Sequence, residues 1–124
     1  MNIQFNRIIL FVTDAERLKH FYQSHFGFTV QEEIKDEWVI LKAGTTEITL
    51  HRIGETYQND IETTNTSESN VKLVFETDED VAALRETLLQ KNIPMREAWQ
   101  YEGFLFCDGE DPEGNMFQLK QKIV

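Results

Sequence analysis

The chain has 124 residues, with 12 Lys and Arg against 22 Asp and Glu, for a formal net charge of -10. That length makes one domain burying about two-thirds of the surface its unfolded form exposes. The acidic balance argues against a nucleic-acid partner, because phosphates are held by Lys and Arg clusters. No run of about 18 apolar residues is present to span a membrane, so no membrane partner is expected. The single Cys107 excludes an internal disulfide and suits a reducing compartment.

Met1-Asn2-Ile3-Gln4-Phe5 enters strand-like alternation without a basic start, so a cytoplasmic location is expected. Residues 1–54 carry 6 basic and 7 acidic side chains, 55–69 carry 0 and 4, and 70–124 carry 6 and 11. The excess reads either as a solvated surface that keeps the protein soluble or as a field that attracts a cationic ligand or partner.

In chain order, Arg7-Ile8-Ile9-Leu10-Phe11-Val12 is a buried strand ending in Thr13-Asp14. Leu18, Phe21, Tyr22 and Phe26 then recur at helical spacing, with Thr13 and Glu16 as a capping box and Gly27 as the stop. Strands are predicted at 29–34, 37–42 and 47–53, separated by Lys35-Asp36 and Gly44-Thr45. Residues 55–69 are polar and aperiodic, a linker or a lid with Tyr57 and Ile61 as its apolar contacts.

The pattern then repeats. Lys72-Leu73-Val74-Phe75-Glu76 is a strand ending in Thr77-Asp78, and Val81, Leu84 and Leu88 mark a helix with Thr77 and Asp80 as a weaker cap. Asn92 and Pro94 end that helix, and strands are predicted at 95–101, 104–107 and 115–122. The fold class is therefore α+β, with a βαβββ module at 1–54, a linker at 55–69 and a second module at 70–124.

Three motifs and this element order resemble the vicinal oxygen chelate superfamily, which includes glyoxalase I, bleomycin-resistance proteins and extradiol dioxygenases. The motifs are Val12-Thr13-Asp14 opening the first helix, Phe21-Tyr22-Gln23-Ser24-His25-Phe26-Gly27-Phe28 closing it, and Asp111-Pro112-Glu113-Gly114-Asn115 before the last strand. The resemblance implies a curved, barrel-like mixed sheet with helices outside, a small-molecule cleft between half-barrels, and a homodimer. Fold alone leaves the chemistry open.

Enzymes of that superfamily hold a divalent metal with His and Glu at four strand positions. By the resemblance, those positions here carry Arg7, Thr49, Lys72 and Gln118. Cations and neutral amides or hydroxyls are poor metal ligands, so neither metal nor other cofactor is expected. A rearranged site with His51, Glu47 and Glu76 is the alternative; His20 and His25, five apart on a helix, read as surface residues.

The resemblance also implies an inward lining of Arg7, Ile9, Phe11, Thr49, His51, Lys72, Val74, Glu76, Met116 and Gln118. Trp38, Trp99, Tyr101 and Phe104 on flanking strands would either stack on a planar ligand or fill the core. Three functions fit these residues. The first is sequestration of a small molecule without chemistry. The second is a lyase, isomerase or dioxygenase using a displaced metal at His51 or a metal-free general base, Glu76 or Glu47, beside Arg7 or Lys72. The third is an interaction module for a basic partner. Cys107 on a strand reads as buried, not nucleophilic.

Overall fold

The computed structural model describes residues 2–54 and 71–124. These fall into two compact units, one within Met1–Thr63 and the other within Thr64–Val124. The first runs β1 (Arg7–Val12), α1 (Ala15–Phe26), β2 (Thr29–Ile34), β3 (Trp38–Ala43) and β4 (Thr46–Arg52). The second runs β5 (Lys72–Thr77), α2 (Val81–Gln90), β6 (Trp99–Tyr101), β7 (Phe104–Glu110) and β8 (Met116–Lys122). The linker or lid expected at 55–69 lies outside the described residues.

Each unit builds one four-stranded sheet, in the order β1-β4-β3-β2 or β5-β8-β7-β6. The first strand is parallel to the last and the remaining pairs are antiparallel. The α+β class and the repeated βαβββ order are as the sequence predicts. Neither sheet closes on itself, since β1, β2, β5 and β6 are edges. Among the described residues no helix is long and apolar enough to cross a membrane.

One face of each sheet is apolar and packs under its helix. In the first unit Val12, Val39, Leu41, Ile48 and Leu50 are buried there with Ala15, Leu18, Phe21 and Tyr22 of α1. Lys19 ties that helix to β2 through Glu33 at 2.8 Å. In the second unit Leu73, Cys107, Phe117 and Leu119 are buried with Val81 and Leu88 of α2. Gly27 takes φ 69°, a left-handed conformation that a side chain would strain, and its N–H closes α1 onto Gln23.

The helix starts differ from expectation. Asp14, not Thr13, caps α1 by accepting from Arg17 N, and Asp80, not Thr77, caps α2 by accepting from Ala82 N and Ala83 N. A carboxylate accepts amide hydrogens and also complements the positive helix end, which favours it over a nearby hydroxyl. Thr77 instead accepts from Glu79 N in the preceding turn. The strand predicted at 95–101 is regular only from Trp99. Before it, Pro94 O accepts from Glu110 N, Arg96 N donates to Asp108 O, and Met95 makes one isolated bridge to Gly109. Strand β7 extends past the predicted Cys107 to Glu110.

Gly109 marks a close approach inside the second unit. An added Cβ would lie 2.5 Å from Met95 Sδ and 2.6 Å from Phe117 Cζ. Phe117 is fully buried and stacked on Phe75, so its ring has little room to yield. Gly109→Ala is expected to destabilise the protein by about 1–3 kcal/mol, read as a lower urea midpoint at unchanged slope. A wild-type midpoint would show that this packing is slack.

Candidate functional site

The pairing register decides which side chains reach the face that α1 leaves uncovered. On β1 and β4, Arg7 lies opposite Glu47, Ile9 opposite Thr49 and Phe11 opposite His51. On β3, Trp38 lies opposite His51 and Ile40 opposite Thr49. These residues share one face because strand side chains alternate.

At one end of that face three rings meet. His51 lies 5.4 Å from Phe11 and 5.3 Å from Trp38, the latter edge-on. Phe11 remains 56% exposed. Trp38 Nε1 donates to Glu32 at 3.2 Å, which fixes the indole. At the other end, Arg7 Nε and Nη2 donate to Glu47 Oε1 at 3.0 and 2.8 Å, and the guanidinium sits 6.0 Å from the Trp38 ring. Thr49 lies between, fully buried, and its hydroxyl has no hydrogen-bond partner among the described residues.

The second unit uses the same ladder with different chemistry. Val74 lies opposite Gln118 and Lys72 opposite Met116, and Asp108 lies opposite Gln118 on β7. Buried Asp108 accepts from Lys72 Nζ at 2.7 Å and from Gln118 Nε2 at 3.0 Å. Beside it Trp99 stacks on Phe106 at 5.3 Å, and Lys120 stands 4.3 Å over the Phe104 ring.

The expected residues thus divide by unit. Arg7, Phe11, Trp38, Thr49 and His51 gather on the uncovered face of the first; Lys72, Gln118, Trp99 and Phe104 on that of the second. Glu76 shares that second face at its far end: its side chain is 66% exposed, 3.8 Å from Lys120, and it lines a surface depression with Thr77, Asp78 and Lys122. Trp99 and Tyr101 are 41% and 63% exposed, so they are not core; β6 is an edge strand too short to be covered. Of the helix histidines, His20 is exposed beside Glu16, and His25 packs on Phe21.

Sequence reasoning missed Asp108, Phe106 and Glu32. Asp108-Gly109 looks like turn chemistry, yet continuing the alternation of Phe104 and Phe106 by one step would have placed Asp108 on their face. Among the described residues, no group of three or more His, Cys, Asp or Glu side chains comes together to hold a metal ion.

The sequence model of the Glyoxalase/Bleomycin resistance protein/Dioxygenase superfamily matches residues 4–119. No curated protein sequence matches the chain. Solved structures do. UcmS2 superposes with a TM-score of 0.77 at 20% identity, covering 98% of this chain and 100% of that one. TnmS3, an antibiotic binding protein from Streptomyces sp. CB03234, gives 0.71 at 22% identity, covering 98% of each. Lactoylglutathione lyase from Agrobacterium tumefaciens gives 0.70 at 15% identity, covering 98% and 95%. At these identities the likeness is one of fold.

Cys107 faces the covered side of its sheet. It is fully buried, its Sγ donates to Arg96 O at 3.2 Å, and burial pushes the thiol pKa up. A thiolate, not a thiol, is the nucleophile. The native protein is therefore expected to resist a thiol-reactive dye at pH 8 and to take up one equivalent in denaturant. Rapid labelling of the folded chain would contradict this placement.

Proposed function

The chain belongs to the Glyoxalase/Bleomycin resistance protein/Dioxygenase superfamily, and from that membership we propose that it binds a planar aromatic small molecule without altering it. The observation that carries this reading is the ring cluster of Phe11, His51 and Trp38 on the face of the first sheet opposite α1. Rings that a folded chain leaves partly in water, beside fixed polar groups, are what a small-molecule site needs: area for stacking and a few groups for orientation. A protein of the same fold, TnmS3, is an antibiotic binding protein.

Charge pairing supports a ligand that is neutral where it meets the sheets. The net charge of -10 alone favours a cation, whereas Arg7 and Lys72 alone would favour an anion. Each of these cations is matched by a carboxylate, Arg7 by Glu47 and Lys72 by Asp108. Neither place therefore carries excess charge.

The metal implied by the superfamily does not fit the side chains at its four positions. Arg7 and Lys72 are cations engaged by carboxylates, Gln118 offers one neutral amide oxygen and Thr49 one neutral hydroxyl, both poor ligands. A second reading is catalysis with His51 and Glu47, favoured by their position on one face of β4, four residues apart with Thr49 between them. Against it, Arg7 already holds Glu47. A homodimer in the cytoplasm belongs to the same proposal and is checked by the mass of the assembly in solution.

The test titrates planar aromatic compounds of neutral, cationic and anionic charge against Trp38 and Trp99 fluorescence, on protein assayed for metal. Saturable quenching by neutral compounds, recovered unchanged, is expected. Phe11→Ala and Trp38→Ala should each weaken binding about tenfold, the worth of one aromatic contact. Conversion of a compound that is lost in His51→Ala or Glu76→Gln, or about one metal ion per chain, would overturn the reading.

A further inference from the structure

Asp108 sits in the middle of β7 with 11% of its side chain exposed, and its two oxygens are engaged by different residues. Oδ2 accepts from Lys72 and Oδ1 from Gln118. A carboxylate only accepts, so Gln118 must turn its NH2 toward Asp108 and present its Oε1 elsewhere. The Lys72 ammonium has three donors and gives one to Asp108, while its side chain is 42% exposed. One carboxylate thus holds an ammonium donor and an amide acceptor side by side. Val74 and Met116, their partners across the ladder, supply apolar flanks.

We propose that Lys72 and Gln118, both fixed by Asp108, bind an amide-type group of a small-molecule ligand on the second unit's sheet: a C=O beside an N–H, as in a carboxamide, lactam or imide. The C=O accepts from Lys72 and the N–H donates to Gln118 Oε1. A carboxylate fits worse on two counts. Asp108 cancels the charge of Lys72, and the second carboxylate oxygen would face the Gln118 carbonyl. The first unit has no such pair, because Ile40 stands opposite Thr49 where Asp108 stands opposite Gln118. This inference rests on the small-molecule reading above and narrows it.

The test is an NMR titration of the isotope-labelled full chain with benzamide, acetophenone and benzoate. Benzamide is expected to shift the Gln118 side-chain amide and the Met116 methyl saturably, with acetophenone and benzoate about fivefold weaker or more. Lys72→Met and Gln118→Met should each lower benzamide affinity about fivefold, the worth of one hydrogen bond. Asp108→Asn keeps the size of the side chain but lets Gln118 flip; it should lose as much while retaining a dispersed native spectrum.

Benzoate or acetophenone binding as tightly as benzamide would overturn the proposal, as would wild-type affinity in Lys72→Met and Gln118→Met. Benzamide shifts at Phe11, Trp38 and His51 but not at Gln118 would overturn this inference and leave the broader binding reading standing. Silence in both places from all three probes would count against both.

Discussion

Parallel pairing of β1 with β4, and of β5 with β8, needs a long crossover between the paired strands. In each unit that crossover contains one helix, which covers one face of the sheet and not the other. The pairing also fixes parity. With Phe11 level with His51 and Val74 level with Gln118, the ring cluster and the Lys72–Asp108–Gln118 group must lie on the uncovered faces. A slip by one residue would drive Arg7 and Lys72 under the helices and expose Ile8 and Leu73, an exchange the apolar cores resist.

The ion pairs on these faces serve orientation more than stability. Arg7 and Glu47 are 33% and 24% exposed, and pairs that keep such contact with water contribute about 0–1 kcal/mol. Asp108 is more deeply placed, and the desolvation of its carboxylate is offset by two hydrogen bonds rather than turned into a large gain. What both arrangements supply is direction: Arg7 has two donors fixed on Glu47, and Lys72 has one fixed on Asp108. A folded chain that places Asp108 inside a sheet at little net benefit is using it to hold its neighbours still.

Much of this was legible in the chain itself, because period-two and period-3.6 patterns report burial directly. Strand β2 was predicted with its observed limits, and Leu18, Phe21 and Tyr22 marked the buried face of α1. The repeat showed through Val12-Thr13-Asp14 and Phe75-Glu76-Thr77-Asp78, whose strands occupy matching places in the two sheets. Pairing that depends on distant partners was less legible. The Met95 segment follows β7 by isolated bonds rather than a ladder, and Asp108-Gly109 mimics a turn although Gly109 is there because Phe117 leaves no room for a side chain. Which carboxylate takes which cation is a tertiary fact that neither spacing nor composition encodes.

The two units share one ladder but do not repeat its chemistry. Where the first sets Phe11, His51 and Trp38, the matching places of the second hold Glu76, Lys120 and Phe106. Where the second sets Asp108 against Gln118, the first sets Ile40 against Thr49, whose buried hydroxyl has no partner among the described residues. Ring contact gains from area and tolerates rotation; hydrogen bonding gains little from area and punishes misalignment. On the proposed reading, a ligand meeting the first face would be selected by shape, and one meeting the second by the order of its donors and acceptors. Substitutions at Phe11 or Trp38 would then act on the first criterion, and substitutions at Asp108 on the second through the residues that it orients.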